Sequence, residues 1–313
     1  MRSLMLLIGG LFISSVLWAD EIPDSLKTEW KDYWTLKGRA YVHVSQGAQF
    51  NWAKEGESVF STLTKTQVDA QYKKDKQIWD NQIKWNYGFL YVGLPKEERL
   101  DYRKSDDYFE LNSSFGHQAT GSFYYNGLFN FKTQFFRGYN YPDKEKTITN
   151  FLSPAYVIFS LGMNYKPNDN LKIMLSPLTS KSTIVAKEGD GKHQVDGTKY
   201  GLKEGERILR EIGAYLTFYH KVKLYTDVDM ENNLTLFSNY EYKPENVDVE
   251  LKSDINFKVN KYIKAIVSLH FIYDDDVSIP INEFDDNGEY KGTRNTVGLQ
   301  FQEKVMIGVG IDF

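Results

Sequence analysis

Apolar and polar residues alternate along much of the chain. Between residues 247 and 259 the apolar positions are Val247, Val249, Leu251, Ile255, Phe257 and Val259, and the residues between them are polar or charged. A period of two is typical of a β-strand, because successive side chains point to opposite faces. The segment is therefore predicted to be a strand with one apolar and one charged face. Such a strand fits a soluble sandwich, where the apolar face meets a core, or a membrane barrel, where it meets lipid.

Twelve segments with this pattern are predicted to be strands. They cover residues 38–46, 58–72, 77–92, 106–117, 121–136, 155–165, 171–185, 209–220, 226–238, 247–259, 262–273 and 296–313. An even number of strands suits a single-chain outer-membrane barrel with both termini on the periplasmic side.

The connections between these segments alternate between short and long. The short ones begin near residues 73, 117, 166, 221 and 260, and the long polar ones cover 47–57, 93–105, 137–154, 186–206, 239–246 and 274–292. A Greek-key sandwich would mix both lengths at each end, whereas a transmembrane barrel has short periplasmic turns and long external loops. The sequence thus predicts an all-β, single-chain antiparallel transmembrane barrel of about twelve strands in the outer membrane.

Aromatic residues make up 15% of the chain, and many lie at the predicted strand ends. Tyr72, Trp79, Phe123, Tyr165 and Phe218 fall beside short turns, and Phe60, Tyr91, Phe135 and Tyr273 beside long loops. These positions predict the two aromatic girdles of a membrane barrel. The last strand ends on Phe313, and a C-terminal aromatic of this kind resembles the signal that barrels present to their assembly machinery. The expected partners are therefore that machinery, outer-membrane lipid and lipopolysaccharide.

The N-terminus resembles a cleavable export signal. Arg2 precedes an apolar run from Leu4 to Leu17, and Ala19 precedes two acidic residues. The expected organisation is a signal peptide over 1–19, a periplasmic lead-in over 20–36 and the barrel over 37–313. The alternative, a membrane-anchoring helix, is disfavoured because the run falls short of about 18 residues.

Charge and cysteine content narrow the function classes. The formal net charge of −4 argues against a nucleic-acid partner, and the absence of cysteine excludes disulfides and thiolate metal sites. No motif indicates a cofactor.

Several segments also resemble a known family. They include "YWTLKGRAYVHVSQGAQFNWAKEGESVFS", "YRKSDDYFELNSSFGHQATGSFYYNGLFNFKTQFFRGYNYP", "NFLSPAYVIFSLGMNYKPNDNLKIMLSPLTSK" and "IYDDDV". The chain resembles, from about Tyr33 to Phe313, the outer-membrane barrels of the DUF3078 family. The resemblance implies a Gram-negative outer-membrane location and transfers no substrate or catalytic residue.

Alternation assigns a set of polar residues to the lumen. The candidates are His43, His270, Lys84, Glu110, Lys132, Asp229, Glu231, Glu250, Lys252, Asp254, Lys258 and Lys264. His43 and His270 lie on strands near the barrel closure and could approach each other, either in a hydrogen-bond network or as a metal-binding or pH-sensing pair. The acidic residues around Asp274 and Glu283 could bind calcium, although their spacing differs from an EF-hand loop.

Enzyme chemistry has little support in the sequence. One type of twelve-stranded outer-membrane barrel is a phospholipase with a Ser-His-Asn site on its lipid-facing surface. His220 has the lipid-facing parity, but the sequence assigns it no serine partner. We therefore expect a non-enzyme. The leading hypothesis is a narrow diffusion or uptake channel for small polar solutes, and the alternatives are a closed barrel that binds through its external loops and, less favoured, a phospholipase-like enzyme.

Overall fold

A computed structural model describes residues 32–47, 59–94, 99–141, 143–188, 193–274, 277, 279–284 and 290–313. The expected signal peptide and most of the lead-in lie outside these ranges, as does most of the predicted loop over 47–57. Among the described residues, no helix is long and apolar enough to cross a membrane.

The described residues form sixteen strands and a short 3-10 helix, Gly197–Tyr200. The strands are β1 Trp34–Gly47, β2 Val59–Lys74, β3 Gln77–Leu94, β4 Arg99–Thr120, β5 Phe123–Thr133, β6 Gly138–Asn140, β7 Asp143–Thr149, β8 Ala155–Asn168, β9 Leu171–Ile184, β10 Ile208–Tyr225, β11 Val228–Asn239, β12 Val247–Lys258, β13 Ile263–Tyr273, β14 Ile279–Phe284, β15 Tyr290–Thr296 and β16 Gln300–Asp312.

Twelve of the strands close into one antiparallel barrel. The order around the wall is β1-β16-β13-β12-β11-β10-β9-β8-β5-β4-β3-β2, and β2 returns to β1. Near the chain terminus the ring is closed by backbone hydrogen bonds in both directions between Gly38 and Phe313, at 2.6 and 2.9 Å. Closure satisfies strand N–H and C=O groups that hydrocarbon could not. The predicted twelve-stranded antiparallel barrel is confirmed. The predicted strict alternation of short and long connections is wrong at one place, because only four residues separate β3 from β4.

Two predicted loops are wrong in part, because they contain hairpins. Strands β6 and β7 pair within the predicted loop 137–154, and β14 and β15 pair within 274–292 and slightly beyond it. The predicted loop 93–105 is also mostly strand, since β3 and β4 continue to the pair Leu94–Arg99. These segments are too polar for lipid contact, so apolar alternation does not reveal them.

The two faces of the wall differ as the alternation predicts. Outward residues such as Phe159 and Val305 are 58% and 70% exposed, whereas the inward polar residues Asn130 and Ser176 are 3% and 0% exposed. This is the reverse of a soluble protein, whose apolar residues lie inside. The apolar outer belt is therefore the lipid-facing surface, and the protein is an outer-membrane barrel.

Aromatic side chains contact one another at the ends of the strands. Beside the short turns, the ring of Trp34 lies 5.4 Å from Tyr72 and 5.8 Å from Trp79, and Phe123 lies 4.8 Å from Tyr165. At the opposite end, Phe135 stacks on Phe151 at 5.8 Å. These contacts agree with the two predicted girdles.

Candidate functional site in the barrel lumen

The lumen contains a group of charged residues that we call the central cluster. Its members are Lys84, Tyr108, Glu110, Lys132, Glu250, Lys252 and His270. They lie on β3, β4, β5, β12 and β13. Each occupies an inward position of its strand, so the period of two alone directs all of them into the barrel.

Glu110 is the centre of one half of this cluster. Its carboxylate accepts hydrogen bonds from Tyr108 Oη and Asn130 Nδ2, both at 2.8 Å. Lys84 Nζ lies 3.7 Å and Lys132 Nζ 4.0 Å from the same carboxylate. Two cations and two neutral donors thus surround one carboxylate that is only 9% exposed.

Glu250 is the centre of the other half. Its carboxylate lies 2.8 Å from Lys252 Nζ and 3.0 Å from His270 Nε2. Lys132 Nζ also reaches it, at 3.3 Å. The side chain of Lys132 therefore joins the two halves.

These contacts cross the lumen. In the barrel order, β5 and β12 are five strands apart, and β4 and β12 are six apart, which is half the circumference. Lys132 on β5 nonetheless meets Glu250 on β12, and Lys252 Nζ on β12 lies 5.0 Å from the ring centre of Tyr108 on β4. Side chains from opposite walls thus meet in the middle of the barrel.

An apolar patch fills the wall beside the central cluster. It consists of five buried, inward side chains on β5, β8, β9, β10 and β11: Leu128, Ile158, Met174, Tyr215 and Phe237. The alternation predicted only polar residues for the lumen and did not reveal this patch. The patch and the cluster therefore both project into the lumen.

A second charged group lies nearer the short turns. Lys221 Nζ contacts Glu231 at 2.7 Å and Asp229 at 3.5 Å, and Lys258 Nζ lies 3.9 Å from Asp229. Arg39 on β1 reaches Glu231 on β11, four strands away, at 3.5 Å. The predicted lumen residues Asp229, Glu231 and Lys258 are thus brought together. Alternation did not single out Arg39, which completes the group.

The remaining predicted lumen residues are dispersed. Lys264 pairs with Asp312 at 2.5 Å near the end of the chain. Asp254 lies opposite Glu231 and Ser268. His43 lies opposite Gly308, and His270 lies opposite Gln302, six residues along the same strand. That separation is about 20 Å along β16, so the structure does not bring the two histidines together as a pair.

A row of polar residues lies on the lipid-facing surface. In register, His220 on β10 is opposite Asn232 on β11, which is opposite Ser253 on β12. Ser253 Oγ donates to Asn232 Oδ1 at 2.6 Å. His220 lies beyond Asn232, about two strand spacings or 10 Å from the serine. A serine is therefore present in this row, but its hydroxyl donates to Asn232 and not to the imidazole of His220.

The long connections form a folded external cap. Asp107 accepts backbone hydrogen bonds from Phe135 and Phe136, at 3.1 and 2.7 Å, and Lys104 Nζ lies 3.0 Å from the same carboxylate. This carboxylate fixes the chain as it leaves β5. Of the acidic residues around Asp274 and Glu283 that could bind calcium, Asp275, Asp276, Asp285 and Asp286 lie outside the described part of the chain.

The connection between β9 and β10 contributes its own small core to the cap. Val185, Val195 and Leu202 pack there, and Tyr200 donates to the carbonyl of Ile148 at 2.9 Å. Burial raises the pKa of Tyr200 to about 12. The hydrogen bond from Thr198 lowers the pKa of Asp196, the residue that caps the short helix.

Part of the chain is similar to one family, and the fold is similar to several solved structures. The model of the family described as "Protein of unknown function (DUF3078)" matches residues 44–139. No curated protein matches the sequence.

Among solved structures, the fold is similar to several outer-membrane barrels. An outer membrane channel from Pseudomonas putida F1 has a TM-score of 0.40 and 7% identity, over 90% of this chain and 96% of that one. CdiB from Escherichia coli has a TM-score of 0.36 and 9% identity, over 89% of this chain and 63% of that one. The beta domain of the Bordetella autotransporter BrkA has a TM-score of 0.31 and 10% identity, over 90% of this chain and 100% of that one. At these scores the likenesses carry no inference about what the barrel binds or transports. Through residues 44–139 the chain matches the DUF3078 family, and it is an outer-membrane β-barrel.

Proposed function

We propose that the protein is a narrow channel for small polar solutes, with the central cluster as its constriction. The observation that carries the proposal is that the contacts across the lumen are made by charged side chains. Lys132 and Lys252 reach across from opposite walls to Glu250 and Tyr108.

Charge is not needed to close a barrel. Replacing a buried ion pair by well-packed apolar residues is often neutral or stabilising, and the apolar patch shows that this lumen can be filled in that way. A constriction of lysines and glutamates can instead be hydrated, and rings of charged side chains select ions in channels. Lysine side chains are also long and unbranched, so a rotamer change moves the ammonium group aside.

The composition of the cluster predicts its preference. Lys84, Lys132 and Lys252 carry three positive charges, and Glu110 and Glu250 carry two negative ones, which leaves one positive charge with His270 neutral. We therefore expect small anions to pass more readily than small cations.

Single-channel recording in planar bilayers tests this proposal. The wild-type barrel should pass a small current with a reversal potential that shows anion preference. The double variant Lys132→Ala and Lys252→Ala should carry a several-fold larger current and lose that preference. Lys223→Ala, which removes an exposed lysine beside a short turn, should behave as wild type. No current from correctly inserted wild-type and double-variant barrels would end the channel proposal.

A closed barrel that binds through its external cap is the second candidate. The observation that favours it is a cleft of about 310 Å³ between β7 and the segment around the short helix, lined by charged and polar residues that include Glu145, Lys146, Asp196 and Lys199. A surface this polar fits lipopolysaccharide sugars or other polar ligands better than apolar ones. Binding of purified lipopolysaccharide, abolished by Lys146→Ala and Lys199→Ala together and with no current in bilayers, would favour this candidate.

We also infer that the barrel assembly machinery recognises Phe313. Its ring is 51% exposed, although its backbone is paired to Gly38. Pairing to β1 leaves the side chain at the membrane edge, where another protein can contact it. Phe313→Ala should therefore slow membrane assembly in cells more than it slows spontaneous folding into detergent micelles.

A further inference from the structure

The seam where the barrel closes, between β1 and β16, is shorter than the other seams. Pairing there runs over five residue pairs from Arg39–Asp312 to His43–Gly308, with one further hydrogen-bonded pair, Gly38–Phe313, at the chain terminus. Each of the other eleven seams of the barrel is longer in residue pairs. The seam between β1 and β2, for example, extends from Trp34–Tyr72 to Gly47–Val59.

Both strands continue past the point where their mutual pairing stops. Strand β1 continues to Gly47 and remains paired to β2. Strand β16 begins at Gln300, before the seam, and is paired to β13 from there. If the register of the seam continued, residues 44–47 would face residues 304–307. Among the described residues, no pairing joins these two edges. Four residues of strand correspond to an opening about 13 Å long.

Exposure agrees with an opening at this place. Val44 points outward and Ser45 inward, yet both are exposed. On the part of β1 that is paired to β16, the inward residues Tyr41 and His43 are buried and the outward Val42 is exposed. On the other edge, the outward residues Val305 and Ile307 are among the most exposed of the lipid-facing belt.

Polar groups of the lumen lie directly behind this opening. His43 forms the last pair of the seam, and its ring nitrogens make no hydrogen bond of normal geometry with the described residues. Lys304 Nζ on the β16 edge pairs with Asp106 at 2.6 Å. Lys65 lies opposite Tyr41, in the field of Asp254 and Asp106. The central cluster is one strand away, since His270 lies opposite Gln302 of the edge strand.

Unpaired strand edges are costly in hydrocarbon, because each free N–H or C=O costs several kcal/mol there. An opening of this kind is therefore expected to be occupied or to serve a purpose. We propose that the gap between residues 44–47 and 304–307 is a lateral portal, through which an amphiphile extends its apolar chain into the membrane while its polar head lies in the lumen.

The charges behind the gap define the class of head group. Lys65 and Lys304 are balanced by Asp106 and Asp254, and His43 adds ring nitrogens that can donate or accept. A head group without net charge but with donors and acceptors, such as a zwitterionic phosphocholine, matches this surface. The apolar chain would contact Val44, Val305 and Ile307 outside.

Cysteine cross-linking tests the gap itself. The sequence contains no native cysteine, so a disulfide can form only between the two introduced residues. The variant Val42→Cys with Val309→Cys is the matched control, because these residues are paired and face the same side as the test pair. Paired strand residues lie within the Cα range of disulfides. An added oxidant should cross-link this control readily in membranes, and the test variant Val44→Cys with Ile307→Cys at least ten-fold more slowly. Equal rates would show a closed seam and overturn the proposal.

Photolabelling tests the occupant. The probe is a lysophosphocholine with a diazirine in its acyl chain near the head group, added to the barrel in vesicles. Adducts on the inward residues Ser45 or Lys304 are expected, because a lipid that stays outside cannot reach them. Adducts confined to outward residues would overturn the portal.

Two other outcomes would change the occupant. Stronger labelling of Ser45 or Lys304 by a diazirine-bearing palmitate would contradict a head group without net charge. Cross-linking of the two strand edges to a second protein chain would contradict a lipid occupant. Conductance plays no part in either test, so a failed channel proposal leaves both readouts intact.

Discussion

The variant Lys132→Met removes the side chain that joins the two halves of the central cluster. The ammonium group of Lys132 lies 3.3 Å from Glu250 and 4.0 Å from Glu110. Methionine keeps the length of the stem but supplies no charge, so both carboxylates lose a cation on which their burial depends.

The size of the expected loss in stability depends on the charges that still surround the two carboxylates. Removing one partner of a fully buried ion pair costs about 3–5 kcal/mol. Here the side chains are partly wet, with exposed fractions of 21% for Lys132, 11% for Glu110 and 27% for Glu250. Lys84 still faces Glu110, and Lys252 still faces Glu250. We therefore expect a loss of roughly 1–3 kcal/mol in the free energy of unfolding.

Urea unfolding of the barrel in lipid vesicles, followed by tryptophan fluorescence, measures this loss. Lys223→Met is the control and should change the stability by less than about 0.5 kcal/mol. The double variant Lys132→Met with Glu250→Gln should be less destabilised than the sum of the single variants, because the uncompensated carboxylate is removed. A single variant as stable as the control, or strictly additive effects, would refute the contact across the lumen.

Three further predictions concern the wall and the cap. Gly213→Ala should block assembly of the barrel, because a Cβ there would clash with the carbonyl oxygen of Ser238; Gly127→Ala, whose Cβ would lie 3.5 Å from Leu161, should assemble normally on a heat-modifiability gel. Asp107→Ala should release the chain after β5, since Phe135 and Phe136 lose their acceptor; trypsin should then cut at Arg137 at least ten-fold faster than in wild type, and unchanged cleavage would contradict this role. The pKa of Tyr200, raised to about 12 by burial, means that its contribution to the stability of the cap is present below pH 10 and is lost as the pH rises through 12. The tyrosinate absorbance of wild type minus that of Tyr200→Phe should therefore show a step near pH 12, and a step near pH 10 would contradict burial.

The sequence predicted the wall of the barrel well because the information there is local. Each strand must present apolar residues to lipid at every second position, so the outward residues Phe129 and Val309 and the inward residues Asn130 and Lys132 follow from parity alone. Most connection lengths also follow from the chain itself, since they are the intervals between alternating segments, but the connection between β3 and β4 is shorter than its interval. The hairpins β6–β7 and β14–β15 were not predicted because they lie within the polar connections, where the sequence shows no regular apolar alternation.

Parity placed Glu110, Lys132 and Glu250 in the lumen, but it could not say that they meet. That contact joins residues more than a hundred positions apart and depends on the number of strands in the ring. The apolar patch around Tyr215 and Phe237 was missed for a related reason, since an inward apolar residue looks like an error in the alternation until its neighbours on four other strands are known.

The sequence by itself therefore determined the class of fold, the sidedness of each strand and the membrane location, because the solvent on each face acts on one residue at a time. Only the tertiary structure decided which charges cross the lumen, that His43 and His270 are far apart, and that the pairing between β1 and β16 stops at His43 and Gly308. Those features depend on the register and curvature of the whole ring. All twelve strands set them together, so the sequence of one strand does not determine them.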